Sequence, residues 1–327
     1  MDAQVSGTAA PVETERIGAG WSAMRVAGGY GAALSLSLYL LVKVVWVVAA
    51  LLGHTPSSFS DGDWIVLNAV TVAMSVVGVV LGLVLAQRWG RRVPAPPLVF
   101  FAWTAAGFLI PMIPYMIASA FLGGDSDGGS GGSDGGDAMP SWEVVFITIG
   151  FAGMALGLAL ALPVYLRERW PAAFLGRVGD RAPARLGRTR LRALYLLVAV
   201  PVLLWTYWTA GGTLGLAHRD VMDVNGRLLL GNSALWAVMG TVAIRVAATG
   251  RPRMPLWIPM AVAFTSSGSL FAWAAWKLPW ALIRPGGYTA AEYPAVSVVE
   301  YGLSIAAGCV MLAALLKAVR SREGELR

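Results

Sequence analysis

Eight long apolar runs constrain the fold of this 327-residue chain more than any other feature of its sequence. Each run has roughly 20 residues or more, which is the length that an α-helix needs to cross a hydrocarbon layer of about 30 Å. In lipid, every backbone N–H and C=O must be satisfied within the segment, so helices are the expected form. The sequence therefore predicts an all-α integral membrane protein with eight transmembrane helices. The runs lie near residues 29–53, 64–86, 98–122, 142–166, 191–217, 227–247, 255–282 and 295–318.

The distribution of Lys and Arg predicts how these helices are oriented. Twenty of the 25 basic residues fall in the N-terminal tail, around 87–97, 167–192 and 245–254, and at the C-terminal end. Because cytoplasmic loops carry the excess of positive charge, we expect a multi-pass protein of the cell membrane with both termini in the cytoplasm. The same pattern accounts for the net charge of +7, so nucleic-acid binding is not expected.

A sequence echo divides the chain into two halves. In each half a Trp within an apolar run is followed seven residues later by a Gly, then by a His and then by aspartates. Further along each half, Gly107 and Gly268 also occupy matching positions, at an offset of 161 residues. With four helices per half, both halves point the same way, so the sequence predicts two parallel four-helix repeats. The two copies of the echo are Trp46, Gly53, His54, Asp61, Asp63 and Trp208, Gly215, His218, Asp220, Asp223.

The predicted organisation has two membrane repeats joined by a linker that carries eight arginines. The linker is expected to bind anionic lipid head groups or a partner protein, or to act as a plain positive-inside anchor. A Gly-, Ser- and Asp-rich loop, 123–137, lacks apolar side chains and is expected to be disordered. The parts are an N-terminal cytoplasmic tail 1–28, a first repeat 29–166, the linker 167–192, a second repeat 193–318 and a cytoplasmic tail 319–327.

Three charged residues lie inside the predicted helices and away from the helix ends, namely Lys43, Lys277 and Glu300. Charges inside a bilayer are costly, so each is a candidate for the solute pathway. Two lysines against one glutamate leave an unbalanced positive charge that suits an anionic solute, or else one neutral lysine. The alternatives are a lysine that snorkels to the interface and an internal structural pair. Trp208, like other deep tryptophans, is expected either to line an apolar or cation-binding pocket or to pack in the core.

A second candidate site lies on the predicted outer face. His54, His218, Asp63 and Asp223 occupy related positions in the two halves, and their convergence would create a zinc-like or pH-sensitive site. No metal-ligand spacing such as HExxH is present. The alternative is that these residues are ordinary polar side chains of interfacial loops.

The stretch Tyr207–Leu216, YWTAGGTLGL, resembles a broad set of uncharacterised actinobacterial membrane proteins that carry a Trp-x-x-Gly-Gly-x-x-Gly helix start. The resemblance covers about half of the chain and implies only a multi-pass membrane protein. The sequence contains no P-loop, Rossmann fingerprint or GxSxG motif, so no catalytic residue is predicted. Three hypotheses stand: a small-solute transporter or permease-like protein, a non-catalytic scaffold or sensor, and a membrane enzyme with an outer-face metal site. The sequence indicates no cofactor, solute or oligomeric state.

Overall fold

The computed structural model describes residues 19–54, 61–122, 141–174, 176–180, 188–218, 222–283 and 291–324. Within these ranges, eight segments are long and apolar enough to cross a membrane, which confirms the predicted all-α, eight-span membrane fold. The helices in chain order are α1 (Ala19–Leu51), α2 (Asp61–Ala86), the 3₁₀ helix η1 (Arg88–Arg92), α3 (Ala95–Leu109), α4 (Met112–Leu122), α5 (Ser141–Arg169), α6 (Pro171–Phe174), α7 (Arg188–Thr209), α8 (Val224–Thr249), α9 (Trp257–Ile283) and α10 (Pro294–Gly324).

Two helix boundaries differ from the predicted ones by eight residues or more. Helix α1 begins at Ala19 rather than near residue 29, and its 33 residues extend about 50 Å, well beyond the hydrocarbon thickness. Helix α7 ends at Thr209 rather than near residue 217, because the chain turns at Gly211 and Gly215, whose φ angles of 94° and 87° lie in the left-handed region. The Trp-x-x-Gly-Gly-x-x-Gly pattern therefore lies at the end of a helix and not at its start.

In the first half, α1 packs between α2 and α5. Glycines allow these backbones to approach closely: Gly29 of α1 lies against Gly82 of α2, and Gly28 of α1 against Gly157 of α5. The core of this half is formed by large apolar side chains that are almost fully buried. They include Val42, Leu85, Met154, Leu158 and Tyr165.

In the second half, α9 packs against α8 and α10, and α7 packs against α8 and α10. The fully buried Trp208 belongs to this second core, together with Ile244, Leu256 and Met311. The two halves join mainly where α3 lies along α9.

One end of the bundle contains η1, the segment 176–180 and the loop between α8 and α9; we refer to it as the arginine-rich end. Here part of the predicted linker packs on the second half. Val178 is buried in the second core, its N–H donates to the Met254 carbonyl at 2.9 Å, and the Leu256 N–H donates to the Gly176 carbonyl at 3.0 Å. The tail 1–18, the loop 123–137 and the linker residues 181–187 lie outside the described residues.

Candidate functional site

A cavity of about 40 Å³ lies inside the second half, between α7, α8, α9 and α10, with Met112 of α4 at its edge. At ~10–15 Å³ for each water, this volume holds about three water molecules or a solute of similar size. The cavity is lined by both apolar and polar side chains. The lining residues that carry polar side-chain atoms include Trp205, Ser266, Trp273, Lys277, Glu300 and Ser304.

The helical period explains why these residues share one cavity. On α9, Ser266, Trp273 and Lys277 are separated by seven and then four residues, which places them on one helix face. On α10, Glu300 and Ser304 are four residues apart and also share a face. These two helix faces, one on α9 and one on α10, both line the cavity.

Glu300 is the most deeply buried charged group of this cavity, with 3% of its surface exposed. Its Oε1 accepts a 2.6 Å hydrogen bond from Nε1 of Trp205, which ties α10 to α7. Its Oε2 is buried and has no hydrogen-bond partner among the described residues. A buried carboxylate oxygen without a partner is unfavourable, so this group is poised to bind something that enters the cavity.

Three more buried polar atoms of the cavity lining are unsatisfied by the described part of the protein. They are Oγ of Ser266, Oγ of Ser304 and Nε1 of Trp273. Buried polar groups are almost always hydrogen-bonded, and an isolated exception calls for an explanation. Four such atoms around one cavity indicate a site for a polar occupant.

Two further charges act on Glu300, from Lys277 and Glu292. Lys277 lines the cavity, its Nζ lies 5.9 Å from the ring centroid of Tyr301, and it forms no ion pair within the described ranges. Glu292 is 8% exposed and accepts a hydrogen bond of 3.3 Å from the Tyr301 hydroxyl. The cavity lining thus contains one buried carboxylate and one lysine, and the second buried carboxylate, Glu292, contacts the lining residue Tyr301 without itself lining the cavity.

The loop after α7 fixes the segment that carries Glu292. The Tyr293 N–H donates to the Gly215 carbonyl at 3.0 Å, and the Ala217 N–H donates to the Ala291 carbonyl at 2.8 Å. Trp208 braces the same loop, because its Nε1 donates to the Leu214 carbonyl at 2.9 Å. Trp208 is fully buried and is not among the residues that line the cavity, so its observed contacts are those of a core residue.

Lys43 lies in the first half, apart from Lys277 and Glu300. Its Nζ donates a 3.0 Å hydrogen bond to Oδ1 of Asn68 and lies 3.8 Å from the ring centroid of Trp46. Nε1 of Trp46 in turn donates to Oε2 of Glu143 at 3.0 Å. The structure therefore brings together only two of the three predicted pathway charges. With Lys43 elsewhere, the cavity lining has one lysine and one glutamate, so the predicted excess of positive charge that suited an anionic solute is absent.

The candidate metal residues that the structure describes are two exposed histidines and one helix-capping aspartate. His54 and His218 are exposed, and Asp223 caps the N-terminus of α8, where its Oδ1 accepts a 2.7 Å hydrogen bond from the Gly226 N–H. The side chain of Asp63 lies outside the described residues. Across the described ranges, no group of three His, Cys, Asp or Glu residues is arranged to hold a metal ion. Because the hypothesis includes Asp63, the outer-face metal site stays a prediction.

Sequence reasoning missed Ser304 as a lining residue and Glu292 as a buried neighbour of the site, whereas Trp205 is one of the deep tryptophans expected either to line a pocket or to pack in the core. Glu292 lies between two apolar runs and resembles an ordinary loop residue, so only tertiary structure identifies it as buried. Ser304 carried a usable signal, because it lies one helical turn after Glu300 on the same face.

The fold and the cavity define the class of this protein: a multi-pass α-helical membrane protein with a cavity of mixed apolar and polar lining in its C-terminal half. Comparison with protein-family models, with curated proteins and with solved structures gives no match. The resemblance of the YWTAGGTLGL stretch to actinobacterial membrane proteins stays a prediction.

Proposed function

We propose that this protein is a small-solute transporter or permease-like protein of the cell membrane, with its solute site in the cavity of the second half. One observation carries the proposal: Glu300, buried within a membrane-spanning bundle, lines the cavity and has a carboxylate oxygen with no hydrogen-bond partner among the described residues. Ionisable groups placed this way in membrane helices commonly mark solute or ion pathways.

The scaffold or sensor hypothesis predicts an interior in which all charged groups are paired. In the first half, Lys43 donates to Asn68 and Trp46 donates to Glu143, although Nε of Arg25 and Oγ1 of Thr104 are buried without a hydrogen bond among the described residues. In the second half, a buried carboxylate oxygen, two serine hydroxyls and an indole N–H without hydrogen-bond partners in the described part of the chain all belong to residues that line one cavity. The clustering of these four atoms favours a binding role for the second half.

Two parallel four-helix repeats form the bundle in this proposal. In each half, a Trp of the first helix donates to a Glu near the start of the last helix: Trp46 to Glu143, and Trp205 to Glu300. This pairing favours a repeat register that matches Trp46 with Trp205, three residues before Trp208. An axis along the membrane normal would relate the halves.

The orientation follows from the same positive-inside argument. The arginine-rich end faces the cytoplasm, together with both termini, and the cavity lies nearer the outer face. Exposed arginines at this end, among them Arg177, Arg251 and Arg253, suit contact with anionic lipid head groups.

Cysteine accessibility tests the proposal without knowledge of the solute. Ser304→Cys is made in a Cys309→Ala background, so that the cavity carries the only thiol. In membrane vesicles, a membrane-impermeant thiol reagent is applied from one side and then from the other. A transporter exposes its site alternately, so position 304 is expected to react from both sides.

Ala307→Cys is the matched control, because Ala307 lies on the same helix, is fully buried and does not line the cavity. It should stay unreactive from both sides. Reaction of position 304 from one side only, or from neither, would contradict transport and favour a sensor or scaffold.

A further inference from the structure

We propose that the cavity of the second half binds a small ammonium-type cation, either ammonium itself or a short primary amine. Passage of this cation across the membrane rests on the proposed function, whereas its binding rests on the cavity alone. The first half of the chain supplies the argument, because it contains the same Trp–Glu pair with a cation already in place.

In the first half, the cation is the side-chain ammonium of Lys43. Its Nζ lies 3.8 Å from the ring centroid of Trp46 and 5.5 Å from that of Tyr39. A cation at this distance is attracted by the negative face of an aromatic ring. The Trp46 indole is held by its hydrogen bond to Glu143, so cation, ring and carboxylate form one unit.

In the second half, the Trp–Glu pair is present but α7 supplies no cation. Lys43 precedes Trp46 by three residues, and the residue three before Trp205 is the apolar Val202. Lys277 enters from α9 but forms no ion pair with Glu300 or Glu292 in the described part of the chain. The Glu300 carboxylate is therefore without an ion-pair partner within the described residues, although Lys277 lines the same cavity.

Two unsatisfied oxygens of the cavity lining are acceptors that suit a primary ammonium group. Oε2 of Glu300 and Oγ of Ser304 belong to residues one turn apart on α10, and an alkylammonium group carries three N–H donors. The hydrogen bond to the carboxylate is charge-assisted and therefore the stronger of the two. Oγ of Ser266 and Nε1 of Trp273 lie further along α9 and are not assigned to the cation.

The volume sets the size of the ligand. A cavity of about 40 Å³ admits a cation of one or two heavy atoms together with water, but it has no room for a bulky quaternary ammonium ion. Methylammonium is therefore the appropriate probe, with choline as the oversized control and sodium as the control for a metal ion of the same charge.

Isothermal titration calorimetry on the purified full-length chain in detergent at neutral pH measures the binding directly. We expect one methylammonium per chain, with no comparable binding of choline or sodium. Glu300→Gln should weaken binding at least tenfold, about 1.4 kcal/mol. Glu143→Gln alters the corresponding carboxylate of the first half and should leave the affinity unchanged.

A tethered cation provides the decisive variant. Val202→Lys places an ammonium group three residues before Trp205, as Lys43 is placed before Trp46, and should abolish methylammonium binding while the chain remains monodisperse and helical. The proposal is overturned if the wild-type chain shows no saturable binding, if sodium binds equally well, or if Glu300→Gln and folded Val202→Lys both keep the wild-type affinity.

The two proposals fail separately. Methylammonium binding with position 304 reactive from one side only would retain the cation site and remove transport. Reaction from both sides without methylammonium binding would retain transport and remove the cation.

Discussion

Gly107 of α3 and Gly268 of α9 lie against each other where the two halves join: a Cβ on Gly268 would be only 3.2 Å from the Gly107 Cα. Around this contact, Nε1 of Trp103 donates to Oγ of Ser267 at 2.9 Å, and the Trp103 ring stacks on Phe271 with centroids 4.6 Å apart. The two halves therefore meet backbone to backbone, and a small residue at this position is a condition for the contact.

Gly268→Ala should lower the stability of the whole protein. Its Cβ would meet the Trp103 carbonyl oxygen, which cannot move without displacing α3. Overpacking of this kind costs about 1–3 kcal/mol. Thermal unfolding in detergent measures the effect as a lower melting temperature. Gly302→Ala on α10 is the control, because no atom lies within 4 Å of its Cβ position. Equal melting temperatures for the two variants would contradict the close contact.

An ion pair of the arginine-rich end gives a second prediction. Nε of Arg25 lies 3.3 Å from Oε1 of Glu168, both side chains are largely buried, and the Arg25 guanidinium also donates to the carbonyls of Leu85 and Ala86 at the end of α2. Removing Arg25 leaves Glu168 with only the exposed Arg91 and takes the donor from the Leu85 and Ala86 carbonyls, and loss of a buried hydrogen bond to a charged group costs about 1.5–3 kcal/mol.

Arg25→Ala should therefore be strongly destabilised in a chemical or thermal unfolding experiment. Arg91→Ala is the matched control, because Arg91 binds the other oxygen of Glu168 at 2.9 Å but is 62% exposed. An exposed pair contributes only about 0–1 kcal/mol. The prediction fails if both substitutions have the same small effect.

The eight spans could be predicted from hydropathy because each spanning segment must carry its apolar length locally. The extent of α1 could not be predicted in this way, because the charge of Arg25 places it in the tail. Its ion pair with Glu168, which lies far away in the sequence, is visible only in the folded structure. The end of α7 is a related case: Leu214 and Leu216 continue the apolar run, but the positive φ angles at Gly211 and Gly215 stop the helix. The hydropathy of the segment carries no information about these backbone angles.

The candidate site was only partly predictable for the same reason. Lys277 and Glu300 were identified because a charge inside an apolar run is visible in the sequence. That Lys43 lies with Asn68 in the other half, and that Glu292 replaces it near Glu300, depends on which helices pack together. Tertiary packing thus decides which charged groups meet at the site.

Asp223 gives a third prediction, which separates a capping role from a metal-binding role. Asp223→Ala removes the hydrogen bond to the Gly226 N–H and should cost about 0.5–2 kcal/mol in an unfolding experiment. Asp223→Asn keeps a capping oxygen and should retain the wild-type stability. If Asp223 is instead a metal ligand, zinc should raise the melting temperature of the wild-type chain, and Asp223→Asn should abolish that increase.

The last prediction concerns the ammonium group of Lys43. Lys43→Ala removes the donor to Asn68 and the cation from the face of Trp46, and it leaves the buried Glu143 without its neighbouring positive charge. Loss of a buried hydrogen bond to a charged group costs about 1.5–3 kcal/mol, so the melting temperature should fall.

The volume vacated in Lys43→Ala lies beside an intact Trp46–Glu143 pair, and this is the arrangement that we infer binds ammonium in the second half. Methylammonium should therefore raise the melting temperature of Lys43→Ala more than that of the wild-type chain, and calorimetry should detect a second site. Lys317→Ala, at an exposed position near the end of α10, should show neither effect. A destabilised Lys43→Ala chain that methylammonium does not restore beyond its effect on the wild type would show that the Trp–Glu pair is not sufficient to bind a free cation.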